Sequence, residues 1–192
     1  MELDAHSFEK QIFDRIVCPK QDLQKKEFST CTFKKCDFSE CRFSGSTFVD
    51  CVFVDCNLSN IKINTCSFQN VAFKNCKIIG VNFTGVRSLL IEWSFSDCVI
   101  ELCDFGNLET RHTKFLDCTL RESDFSGANL TESDFSGSDL QGTKFQNTIL
   151  NKADLSKARN YYIDPMQNKI KGAKFSYPDV LALLHGFGIV LK

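Results

Sequence analysis

Large apolar side chains recur every five residues along most of this chain, and a fold must satisfy that period before anything else. Counting in fives from Phe28, positions Phe33, Phe38, Phe43, Phe48, Phe53, Leu58, Ile63, Phe68, Phe73, Ile78 and Phe83 are large and apolar without exception. A second run starts at Phe95 and passes through Ile100, Phe105, Phe115, Leu120, Phe125, Leu130, Phe135, Leu140, Phe145, Leu150 and Leu155, failing only at Thr110. The runs are offset by two residues, and the join in "GVRSLLIEWSF" predicts a two-residue bulge at 86–94 rather than a domain boundary. Five is neither the 3.6 of a helix nor the 2 of a strand, so either element would smear these residues over every face. A chain that turns a corner every five residues keeps them together, and repeated corners make a coil.

Two positions before each of these centres stands something small. That slot holds Cys31, Cys36, Cys41, Ser46, Cys51, Cys56, Cys66 and Cys76 in the first run, and Cys98, Cys103, Cys118, Ser123, Ala128, Ser133, Ser138 and Ala153 in the second. Ten of the eleven cysteines occupy it, interchangeable with Ala, Ser and Val, so the expectation is a reduced, buried, space-filling thiol. Single cysteines at five-residue spacing lack the paired geometry of a zinc site, and no metal or cofactor is expected. Cysteines on one wall in successive coils would stand about one rung apart, somewhat wide for a disulfide. Seven of the ten glycines (Gly45, Gly80, Gly85, Gly127, Gly137, Gly142 and Gly172) lie two after a centre, where a corner would use positive φ.

Runs such as "ADLSK", "SDFSG", "ANLTE" and "SDLQG" resemble the pentapeptide-repeat family. The resemblance implies an all-β fold, a right-handed quadrilateral parallel β-helix with four short sides per coil, closed by a short C-terminal capping and dimerisation helix. A single domain over 1–192 is expected: an N-terminal cap or irregular coil at 1–27 with weaker in-phase traces at Phe8, Phe13 and Leu23, the repeat solenoid at 28–158, and a C-terminal cap at 159–192 with a helix at about 178–186. About seven coils at ~4.8 Å per rung give a rod roughly 35 Å long.

His6, His112 and His185 are scattered, with no nucleophile or paired carboxylate recurring beside them, and a rod filled with phenylalanine offers no obvious pocket, so no enzyme is expected. "LETRHTKF", beside the misfit Thr110, is read as a local bulge exposing a polar loop. The start of the chain carries acids and no apolar run, and no stretch reaches the ~20 apolar residues of a membrane span, so a soluble cytoplasmic protein without membrane contact is expected.

The charges are more informative. The total is -1, but residues 28–85 hold six bases against four acids, whereas 95–145 hold ten acids against four bases. The candidate partner-binding face is Asp97, Asp104, Asp117, Glu122, Asp124, Glu132, Asp134, Asp139 and Asp154. At the C-terminus, Val180, Leu181, Leu183 and Leu184 form an apolar stripe after Pro178, and with Phe187, Ile189 and Leu191 they make the candidate homodimer interface. A repeat rod followed by "IDP", "AKFS" and a leucine-rich helix ending in "GFGIVL" is similar to the quinolone-resistance Qnr and MfpA type of the family. That similarity implies a DNA-mimicking protein that binds DNA gyrase or topoisomerase IV without cofactor, chemistry or direct nucleic-acid binding. The other reading of the same residues is a structural or adaptor solenoid for a different protein partner, with its charge serving only solvation.

Overall fold

The computed structural model describes residues 3–87, 92–187 and 189. The chain winds into a parallel β-solenoid of about eight turns with one short helix. Four walls can be followed through it. On the first, β1 (Ser7–Glu9), β3 (Glu27–Ser29), β5 (Thr47–Val49) and β7 (Ser67–Gln69) pair in order. The second is a six-stranded sheet of β2 (Ile12–Asp14), β4 (Thr32–Lys34), β6 (Val52–Val54), β8 (Val71–Lys74), β10 (Trp93–Ser96) and β12 (Lys114–Leu116). It continues through the bridges Lys114↔Asp134 and Asp134↔Asp154 to β14 (Asp154–Leu155) and β15 (Lys174–Phe175). The third wall carries β9 (Lys77–Ile79), β11 (Val99–Glu101) and β13 (Thr119–Arg121), and the fourth is stitched by single bridges such as Asp22↔Arg42 and Asp104↔Asp124.

Partners are 20 apart in register, as Phe33↔Phe53, until the join, where Phe73↔Phe95 and Ile78↔Ile100 are 22 apart. The two-residue insertion is therefore absorbed outside the ladder; residues 88–91 of the expected bulge lie outside the described residues. The large apolar centres are buried, and their rings stack in columns along the walls. On the second wall Phe13, Phe33, Phe53, Phe73, Phe95, Phe115 and Phe135 have successive centroid separations of 5.0, 4.5, 5.1, 4.9, 4.9 and 4.9 Å. Neighbouring walls meet edge to face, as Phe28 and Phe33 do at 74°. Such pairs add about 0.5–1.5 kcal/mol each beyond the area they bury.

Two expectations are corrected. Residues 1–27 are not an irregular cap: Phe8 pairs with Phe28, Phe13 with Phe33, and the coil is completed by the buried centres Cys18 and Leu23. Cys18, the one cysteine outside the small slot, occupies a centre because the repeat begins a full coil before residue 28, in phase with Phe8 and Phe13. Nor does "LETRHTKF" bulge. Thr110 is buried, Glu109 bridges Asn129, and His112 sits on an ordinary corner with φ 60°.

The corner position, two after each centre, takes a left-handed conformation almost throughout, and most of its occupants are not glycine: Lys35, Glu40, Asp55, Asn75 and Asp97 are examples. Glycine is useful there where the coil below leans on it; a Cβ at Gly137 would lie 2.0 Å from Asp117 Oδ1. Gly85 departs from the expectation, since its φ is not positive. At the C-terminal end the chain forms a 3-10 helix, Asp179–Phe187, of which no residue is fully buried. No helix among the described residues is long and apolar enough to cross a membrane.

Candidate functional site

All eleven cysteines are free and buried. They do more than occupy space. Cys31, Cys36, Cys51, Cys56 and Cys76 each donate the thiol proton to the carbonyl of the centre 23 residues earlier, at 3.4–3.5 Å. Across the insertion, Cys98 and Cys103 do the same to Phe73 and Ile78. Ser138 and Thr148 give hydroxyl protons to Phe115 and Phe125 at 2.7 and 2.9 Å, and Trp93 gives its indole N–H to Phe68 at 3.2 Å.

Where the slot is alanine, the carbonyl beneath is already taken by its own turn, as in Leu108 N–H to Phe105, Ser133 N–H to Leu130 and Ser138 N–H to Phe135. Most donors stand where a strand-like corner leaves a buried carbonyl unpaired; Thr148, Cys66 and Ser133 instead add a second donor to carbonyls that Ala128, Ser46 and Thr113 N–H already reach, and Val71 supplies none. Burial pushes the Cys66 thiol up to about 11, and those of Cys51 and Cys103 up to about 12, so these sulfurs stay protonated and able to donate. Among the described residues no group of three or more His, Cys, Asp or Glu is placed to hold a metal ion.

The same local geometry decides what the acidic residues are free to do. An Asp immediately before a centre folds its carboxylate back onto the amide two residues on, an Asx turn that caps the corner. Asp104, Asp124, Asp134, Asp139 and Asp154 accept in this way from Gly106, Ser126, Ser136, Gln141 and Ser156 at 2.7–3.3 Å. More than half of the predicted face therefore has a structural duty, and the signal lay in the repeated Asp-before-centre pattern of "SDFSG" and "ADLSK".

The nine acids do not form one stripe. Asp97, Asp117, Asp134 and Asp154 lie on the second wall and its corner; Asp104 and Asp124 belong to the fourth wall, Glu122 and Asp139 to the third, and Glu132 to the first. Asp139 is removed from any outer surface, because its side chain is only 4% exposed. Its carboxylate accepts from Asn160 Nδ2 and Arg121 Nη2, each at 2.8 Å. Burial opposes its ionisation, but the Asn160 amide, the Arg121 guanidinium and the Gln141 N–H outweigh that and hold it below the usual carboxylate range. Glu132 is held low by the Lys152 ammonium at 2.8 Å. Asp154 is held low by Ser156 and then Lys174. Asp97 and Asp117, exposed at corners with φ 55° and 51°, enter no ion pair among the described residues.

The second candidate surface is the C-terminal end. Ala182 and Leu183 pack against the core with Ile170, Ala173 and Phe175, and Val180, Leu181 and Leu184 are half-buried. Phe187 and Ile189 are exposed, as are Tyr162, Met166 and Tyr177 near the same end; Leu191 lies outside the described residues. Between the helix and the last coil runs a cleft of about 320 Å³ lined by Asn160, Tyr161, Pro178, Asp179, Leu181, Ala182 and His185.

Comparison with known proteins places this architecture. The sequence matches the pentapeptide repeat region over residues 26–88 and 87–155. No curated protein sequence matches the chain. Among solved structures, a trypsin-treated form of QnrB1, a plasmid-mediated fluoroquinolone resistance protein, superposes with a TM-score of 0.74 at 18% identity, covering 98% of each chain. Full-length QnrB1 superposes at 0.59 with 16% identity over 93% of this chain and 100% of that one.

Proposed function

This chain belongs to the pentapeptide-repeat family, and we propose that it is a non-enzymatic binding protein whose acidic end occupies the basic DNA groove of a type II topoisomerase, DNA gyrase or topoisomerase IV. The observation that carries this reading is the clustering of Asp97, Asp117, Asp134 and Asp154 along one half of the second wall, where exposed Lys114 and Lys157 stand among them and Lys174 pairs with Asp154. Four carboxylates on a rigid wall, spaced by rungs of ~4.8 Å, offer a basic groove fixed negative charge without an ordering cost in the ligand. The likeness in fold to QnrB1 supports the choice of target class. Attraction of this kind steers association and weakens steeply with salt. Asp104 and Asp124, on the opposite wall, cannot enter the same groove, and Asp139 is unavailable.

The reading is tested by a supercoiling assay with and without a quinolone, using Asp97→Ala/Asp117→Ala because neither carboxylate caps a turn. Loss of the effect in this variant with an unchanged fold is expected. No effect of the wild-type protein at micromolar concentration, or an effect indifferent to the substitutions, overturns the topoisomerase reading. The turn-capping duty of so many of the acids favours instead an adaptor rod for another protein, and that second reading stands if the assay fails.

We further propose a homodimer through the C-terminal end, where exposed Phe187 and Ile189 adjoin an incompletely buried helix. A monomeric mass by light scattering at tens of micromolar, or a dimer that survives Leu183→Glu/Leu184→Glu, would exclude it.

A further inference from the structure

We propose that the cleft between the C-terminal helix and the last coil binds a small primary amine, carried as its ammonium form on a compact apolar body. At about 320 Å³ the cleft stands at the lower end of the range of small-ligand pockets. Tyr161 lines it, is only 4% exposed, and carries a hydroxyl with no hydrogen-bond partner among the described residues. Buried polar groups are nearly always paired, so a hydroxyl left open beside a cleft marks the place where a ligand group pairs with it.

The groups around that hydroxyl are acceptors. Asp179, in the first turn of the helix, also lines the cleft and enters no ion pair among the described residues. Burial and then the Asp179 carboxylate push the Tyr161 phenol up to about 12, so the carboxylate acts on the hydroxyl across the cleft although no hydrogen bond joins them. Asn160 gives its amide nitrogen to Asp139 Oδ1 at 2.8 Å, which leaves its amide oxygen to accept. An ammonium has three donors and no acceptor, and so matches a carboxylate, a phenol oxygen and an amide oxygen brought to one place. No Lys or Arg lines the cleft, so the carboxylate is not neutralised from within and an anionic ligand is disfavoured. A metal ion fits less well, because Asp179 and the exposed His185 are too few, and no group of three or more such ligands occurs among the described residues. Pro178, Leu181 and Ala182 supply the apolar surface for the body of the ligand. Phe187 and Ile189 do not line the cleft, so the inference rests neither on the proposed dimer nor on the topoisomerase reading.

Titration of the full chain with phenethylamine, followed by calorimetry and saturation-transfer NMR, tests it, with phenethyl alcohol and phenylpropionate as the neutral and anionic counterparts. The expected result is saturable one-to-one binding of the amine with a Kd of about 1 mM or tighter, and at least about tenfold weaker binding of the other two. Asp179→Asn should weaken the amine at least about tenfold, and Tyr161→Phe, which keeps the ring in its packing, about three- to tenfold. Circular dichroism checks that both variants are folded. Tighter binding of acetyl-lysine amide than of phenethylamine would assign the cleft to the lysine side chain of a protein and overturn the small-ligand proposal. No saturable binding of the amine up to about 10 mM, equal binding of the alcohol, or an affinity indifferent to Asp179→Asn also overturns it.

Discussion

A cysteine and an alanine can share one slot because the turn one coil below decides whether a donor is wanted there. Ser138 makes the case measurable, since it donates to Phe115 O and accepts from Cys118 N–H at 2.9 Å. Ser138→Ala leaves two buried polar groups unpaired and should cost about 1–3 kcal/mol in urea unfolding. Ser138→Cys, which keeps a donor, should cost less; equal losses would contradict the slot's role. Inwardness and smallness were legible in the sequence, because Ser, Ala and Cys alternate there without breaking the beat. The hydrogen bond was not, because its acceptor lies 23 residues away in another coil. Asp139 behaves similarly: its pattern position reads as surface charge, whereas Arg121 and Asn160 close over it. Its folded carboxyl titrates below the unfolded value of about 3.9, so its contribution is whole above that pH and is lost as the pH falls through the folded value. Stability should therefore drop below about pH 4 more steeply in wild type than in Asp139→Asn, measured by thermal melts across pH.

At the scale of elements, a corner every five residues followed from the period, the 20-residue coil followed from the four sides that the family resemblance implies, and the insertion followed from the offset between the two runs. The first coil was marked only by in-phase Phe8, Phe13 and Leu23, and its regularity was not legible because Cys18, a small residue, stands at the remaining centre. Thr110 misled in the opposite direction: a polar residue at a centre predicts a break, yet Ser133 Oγ–H caps its carbonyl at 3.2 Å and the ladder runs on. The C-terminal helix was legible from Pro178 and the leucines, whereas its 3-10 winding and shallow burial were not. Tyr161, beneath it, is buried with no partner for its hydroxyl among the described residues, and burial raises it to about 12. Tyr161→Phe should be neutral or stabilising by up to about 1–2 kcal/mol, read as an unchanged or raised urea midpoint. A large loss would mean that the phenol has a partner in solution.

For the whole molecule, a near-zero net charge conceals separate surfaces. The second wall gathers Asp97, Asp117, Asp134 and Asp154 toward its C-terminal end among the exposed Lys114, Lys157 and Lys174, while the acids of the remaining walls are largely spent on corners and ion pairs. Charge counted by halves of the sequence located the acidic end; assigning each acid to a wall required the register. The central claim is that this rod binds a basic protein groove through Asp97 and Asp117 and their wall, without chemistry. Direct binding to purified gyrase, followed by light-scattering or interferometric titration across salt, tests it most directly. The account predicts saturable binding whose affinity falls steeply with rising salt and is lost in Asp97→Lys/Asp117→Lys. Binding that ignores both salt and those substitutions, or no binding at micromolar concentration, contradicts it.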